Sequence, residues 1–130
     1  MSGSDAVSRI GGAGTVREWF GFWPDFHDAE VISVLLARTG PSVLRVYPYY
    51  PAKPATVDFI LEGVTDVELS DFSSQNVISS LAIESVTNED GDEVYRLTLG
   101  PCFGLAGRID AKSLRIALTP GKSSDHVSLW

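Results

Sequence analysis

The chain reads as a mainly β (α+β) protein. The expected architecture is an antiparallel meander of about eight strands, closing into a sandwich or partly open barrel, with one short N-terminal helix. Three observations predict it. From Ala29 to Leu118 the apolar residues recur mostly at every second position, which is the period of a strand with one buried face. Gly, Pro and Asx turn signals interrupt that pattern at short intervals, as they do in all-β domains. No helical stretch separates the alternating segments, and parallel strands would need such a crossover. At 130 residues, 44% of them hydrophobic, the chain has the size of one domain and can bury a core without metals or disulfides.

The elements follow in order. Residues 1–14 are small and Gly/Ser-rich and are expected to form a flexible tail. Thr15-Val16-Arg17-Glu18 fits a capping box, and Gly21 sits where a helix would stop. A short helix over Val16 to Phe20 is therefore predicted. The aromatics Trp19, Phe20, Phe22, Trp23 and Phe26 then form either a lid on the core or an exposed recognition patch. Ala29 to Thr39 reads as a strand, Gly40-Pro41 as a turn and Val43 to Tyr47 as the returning strand. Pro48, Pro51 and Pro54 make a loop. Val57, Phe59 and Leu61 mark a half-buried strand, which Gly63 is expected to turn into a partner carrying Val67 and Leu69. Leu81 to Thr87 and Glu93 to Leu99 look like a hairpin around Asn88 to Asp92. Phe103 to Ile109 is another strand, turned at Ala111-Lys112 into Leu114 to Leu118. The domain is expected to span 15–120, with 121–130 as a C-terminal tail.

Charge is unevenly distributed. The net charge is −7. Residues 54–95 contain no Lys or Arg but carry Asp58, Glu62, Asp66, Glu68, Asp71, Glu84, Glu89, Asp90, Asp92 and Glu93. Alternation places Asp58, Ile60 and Glu62 on the outer face, with Asp66 and Glu68 expected beside them on the next strand. Such a face either is solvated and neutralised by Arg96, Arg108, Lys112 or Arg115, or docks a basic partner. Asn88 to Glu93 lacks the spacing of a calcium loop. The acidic balance argues against nucleic acid and anionic membrane as partners. No apolar run reaches the length of a membrane-spanning helix, and the N-terminus lacks the pattern of a secretory signal. With one unpaired cysteine, Cys102, this favours a cytoplasmic protein and excludes an intrachain disulfide or a multi-cysteine metal site.

Catalytic motifs are missing. There is no phosphate-binding Gly-rich loop and no nucleophile elbow. His126 falls in the expected tail. His27 is flanked by Asp28 and Glu30, but neighbouring residues on a strand point to opposite sides, so a His–Asp pair would require a turn. Cys102 has no basic neighbour in sequence to activate it. Gly104 and Gly107 fit a bulge or a close strand approach.

Trp23-Pro24-Asp25-Phe26-His27-Asp28-Ala29-Glu30-Val31 resembles the N-terminal signature of the bacterial immunity protein 50 family. Gln75 to Ile78 and Cys102 to Gly107 resemble its later motifs, the last an aromatic-Gly-Leu-small-Gly core. The resemblance covers roughly Trp19 to Pro120. It implies a small cytoplasmic protein of a polymorphic toxin system that neutralises a toxin and is not an enzyme. Trp23, Phe26, His27, Asp28, Glu30, Phe103, Gly104 and Gly107 are the motif positions, with a structural role open to each.

The sequence-level expectation is thus a cofactor-free protein-binding module for a basic toxin, a nuclease being one candidate. Its expected surface is Asp58, Ile60, Glu62, Asp66 and Glu68, rimmed by Glu89, Asp90 and Asp92. The alternative is a small-molecule- or metal-binding barrel, including a hydrolase using His27. A homodimer through Ile32 to Leu36 or the Trp23 cluster is a further alternative.

Overall fold

The computed structural model describes residues 7–121. Among the described residues the complete elements are, in chain order, α1 (Ala13–Phe20), β1 (Ala29–Leu35), β2 (Ser42–Tyr47), β3 (Ala55–Ser70), β4 (Val77–Thr87), β5 (Glu93–Phe103) and β6 (Ala106–Pro120). The strands form a closed antiparallel barrel in the order β1-β2-β3-β6-β5-β4. It consists of two three-stranded meanders. They join along the full length of β3 and β6 on one side. On the other side β1 and β4 meet only through Ala29–Ile78 and Glu30–Val77.

Mainly antiparallel β structure with one short helix agrees with the sequence reading, but the strand count does not. Gly63 and Ala111-Lys112 do not turn the chain. β3 and β6 each run straight through, and these two sites lie against one another. Leu61 faces Leu114 and Val64 faces Ala111, all packed on the core. Between them Glu62 and Gly63 on β3, and Lys112 and Ser113 on β6, are exposed. Both strands thus slip phase together at a corner of the barrel. Gly63 takes φ 66 there, and a register shift between Val64 and Asp66 follows. Such irregularities bend a strand and re-aim its side chains. The expected four strands are therefore two.

The helix begins at Ala13, three residues before Val16, so Thr15 lies inside it and forms no capping box. Gly12 precedes it at φ 93. A Cβ at Gly12 would collide with the Ile116 carbonyl, while the Ile116 N–H donates to the Gly11 carbonyl at 2.8 Å. Only glycine lets the chain press this closely on β6. Gly21 ends the helix as expected, donating its N–H to the Arg17 carbonyl at 2.7 Å.

Residues 7–14 are packed where a tail was expected. Val7, Ile10, Ala13 and Val16 are buried in the same core as Phe26, Leu44, Phe59, Leu61 and Ile109. Helix and preceding turn therefore close one end of the barrel. Residues 1–6 and 122–130, including His126 and most of the expected C-terminal tail, lie outside the described residues. No helix among the described residues is long and apolar enough to cross a membrane.

Candidate functional site

The outer face near the phase slip carries a charged network built by register. Asp66 on β3 stands opposite Asp110 on β6, Asp110 opposite Arg96 on β5, and Arg96 opposite Glu84 on β4. The next row holds Glu68, Arg108 and Thr98. Two carboxylates directly across a ladder repel, so Asp66 and Asp110 need cations between them. Arg96 binds Asp110 through two parallel bonds of 2.9 Å. Arg108 reaches Asp110 at 2.9 Å, Asp66 at 2.9 Å and Glu68 at 3.2 Å. The Asp110 side chain is only 3% exposed. Hydrogen bonding from Arg96 holds its carboxyl below the usual aspartate range, against the opposing effect of burial. Arg96 is in turn held more firmly protonated by that hydrogen bond.

The β4–β5 turn completes a polar cleft of about 370 Å³ over this network. Thr65, Asp66, Arg96, Arg108 and Asp110 line its floor, and Thr87, Asn88, Glu89 and Asp90 its rim. Asn88 braces the turn. Its side-chain oxygen accepts the N–H groups of Asp90 and Asp92 at 3.0 and 2.9 Å. Its own N–H donates to the Asp92 carbonyl at 2.8 Å. The exposed carboxylates of the tip are thus presented on an ordered turn.

The expected acidic face divides into two populations. Asp58 accepts two bonds from Arg45, at 2.9 and 3.1 Å. Glu62 lies 3.9 Å from Arg115, and Asp66 and Glu68 share Arg108. Because β3 is one strand, Asp66 and Glu68 do not sit beside Asp58, Ile60 and Glu62. They continue along the same strand, with Glu68 roughly 30 Å of strand length beyond Asp58 at the usual rise per residue. Ile60 is half-buried between Val43 and Arg115. The other acids of the 54–95 stretch, Asp71, Glu84, Glu89, Asp90, Asp92 and Glu93, make no ion pair within 4 Å among the described residues. All but Asp71 sit on the β4–β5 hairpin.

Asp110 was not anticipated. Its signal was present, because Arg108 and Asp110 are two apart on one strand face and Asp110 is an isolated acid in a basic segment.

The motif residues take other places. Phe26 is fully buried at φ 60 and stacks edge-on against Phe59 and Trp23. Trp23 is half-buried. Asp28 is also left-handed, at φ 63, so the segment is a turn and His27 does meet Asp28, Nε2 to Oδ2 at 3.6 Å. His27 donates from Nδ1 to the Ser79 carbonyl at 3.2 Å. Its side chain is 63% exposed, and it does not line the polar cleft. Glu30 is buried opposite Tyr47, whose hydroxyl pKa is raised by burial and then by that carboxylate. Phe103 is exposed. Gly104 turns β5 into β6 at φ 79, and a Cβ there would crowd Asn76. Gly107 is a close strand approach, with no room for a Cβ against the Glu68 carbonyl. Among the described residues no group of three His, Cys, Asp or Glu is arranged to hold a metal ion.

No family model, curated protein or solved structure matches the chain.

Proposed function

We propose that the protein is a non-enzymatic binding module of the immunity-protein type, which docks a basic toxin through the cleft beside the β4–β5 turn. The observation that carries this is the segregation of paired from unpaired carboxylates. On β3 each acid has an arginine. On the hairpin Glu84, Glu89, Asp90, Asp92 and Glu93 have no ion-pair partner within 4 Å among the described residues. The braced turn carries Glu89 and Asp90 at the mouth of the cleft.

Unneutralised carboxylates on an ordered turn set up a local field that speeds encounter with a cationic surface. The cleft can then receive an arginine or lysine of the partner. Asp66 and Glu68 already share Arg108, so the resting network has acceptor oxygens to spare.

The test is a double charge reversal, Glu89→Lys with Asp90→Lys, which leaves the arginine network intact. Binding is measured to a panel of basic nuclease domains, at low and high salt. The association rate at low salt should fall about tenfold and lose most of its salt dependence. Unchanged association kinetics would overturn the proposal.

A further inference from the structure

The barrel is closed at the β1–β4 junction only where the strands begin. Ile78 accepts from the Asp28 N–H, Asn76 from the Val31 N–H, and Ser79 from His27. Beyond this point β1 and β4 diverge. From Ser80 to Thr87 no described residue pairs with the side of β4 that faces away from β5. Ser80, Ala82, Glu84, Ser85 and Thr87 are exposed along it.

An open edge offers unpaired N–H and C=O groups to another strand. Proteins usually blunt such edges with Lys, Pro, bulges or a covering segment. The other edges here are treated in that way. The β6 edge past Ala111 carries Lys112, Arg115 and Pro120, and Gly11 bridges to it. The outer side of β1 is met at Val31 by the Asn76 carbonyl, and beyond it the strand is broken by a register irregularity between Val31 and Ser33. In contrast, residues 79–87 contain no Lys, Arg or Pro and are rich in strand formers. The register irregularities of β4 lie before Leu81, not along the open part.

We infer that this edge pairs antiparallel with the same edge of a second copy, centred on Ile83. A two-fold axis normal to the sheet must set one residue opposite itself, because side-chain direction alternates. Centring on Glu84 would oppose two carboxylates. Centring on Ala82 shortens the pairing, since Ser79 and earlier residues are held by His27, Asp28 and β1. Centring on Ser85 draws the acidic turn across the other copy's edge. Centring on Ile83 uses residues 80–86 throughout. Ser80 then faces Val86, Leu81 faces Ser85, and each Ala82 faces Glu84 of the second copy. The apolar inner faces become continuous, and both acidic clefts stay open on the outer face.

The register makes a directional prediction at Ala82, an exposed position outside the cleft. Ala82→Lys opposes Glu84 twice per dimer and should tighten dimerisation about tenfold, whereas Ala82→Glu should weaken it about tenfold. Sedimentation equilibrium of the full chain reads both, against a monomer of 14.0 kDa, and circular dichroism checks that each variant is folded. Cysteine pairing then tests the register in a Cys102→Ser background. A mixture of Ala82→Cys and Glu84→Cys chains should form a disulfide-linked heterodimer, while Ala82→Cys alone should not cross-link. A wild-type protein that stays monomeric, a lysine variant that weakens association, or ready cross-linking of Ala82→Cys with itself would each overturn the inference. None of these outcomes bears on toxin binding through the cleft.

Discussion

Replacing Asp110 by Asn isolates the charge that organises the candidate site. The carboxylate is almost fully buried and receives three N–H bonds, each 2.9 Å, two from Arg96 and one from Arg108. Asparagine keeps the volume and one acceptor oxygen, but turns an amide N–H₂ toward a guanidinium. Removing one partner of a buried pair costs about 3–5 kcal/mol. Arg96 is 33% exposed and can recover some hydration, so the expected loss is about 2–3 kcal/mol. With a urea dependence of about 1.5–2 kcal/mol per molar for a domain of this size, the unfolding midpoint should fall by about 1–2 M. The effect must also depend on pH. An aspartate in the unfolded chain titrates near about pH 3.9. The native carboxyl lies lower because Arg96 hydrogen-bonds it. The stability it contributes is therefore complete above the unfolded value, and is lost as pH falls through the native one. Asparagine has no such loss, so the gap between wild type and variant should close below about pH 4. A gap under about 0.5 kcal/mol at neutral pH would refute the reasoning, since that is the scale of ordinary surface changes. So would a gap of constant size across the acid range.

Other substitutions separate structural from surface roles. Gly107→Ala should cost about 3 kcal/mol or more in urea unfolding, because φ is 134 and the Glu68 carbonyl fills the site. Gly91→Ala, at φ 85 in open space, should cost only about 1 kcal/mol. Phe26→Ala should lose about 3–5 kcal/mol, since the ring is fully buried against Phe59 and Trp23. His27→Ala removes one exposed bond to Ser79, and should change stability by no more than about 1 kcal/mol.

Alternation in the sequence correctly identified the antiparallel β character, the β4–β5 hairpin and the core faces, because each depends on local period and turn chemistry. The strand count depended on what an interrupted alternation means. At Glu62-Gly63 and at Lys112-Ser113 two exposed residues stand together, which is how a turn reads in one dimension. The same pattern arises when two paired strands bend around a barrel corner, and only the partner strand distinguishes the two cases. The tail at residues 7–14 was misread for a similar reason. Small residues normally signal a poorly ordered segment, but here Gly12 is small because Ile116 occupies the space. The site was half legible. Composition located the acidic stretch, and spacing placed Glu89, Asp90 and Asp92 on a turn. Which carboxylates would be neutralised depended on Arg45, Arg96, Arg108 and Arg115, all of which arrive from outside that stretch through strand register.

This division of the acids is what the proposed docking site rests on. A stretch of ten carboxylates with no lysine must be tolerated by the fold, and β3 shows one way: four acids are matched to three arginines from β2 and β6. Stability alone would favour the same treatment of the hairpin, because unneutralised like charges repel. Yet Arg96, the one cation on that hairpin, points its guanidinium at Asp110 on β6. It thereby fixes the cleft floor and leaves the rim acids without an ion pair. Each acid of β3 has an arginine within the molecule, whereas those of the hairpin have no ion pair among the described residues. On the proposed function, a cationic partner would be drawn to the cleft mouth at Glu89 and Asp90 rather than to the Ile60 face, where Arg45 and Arg115 lie against the carboxylates.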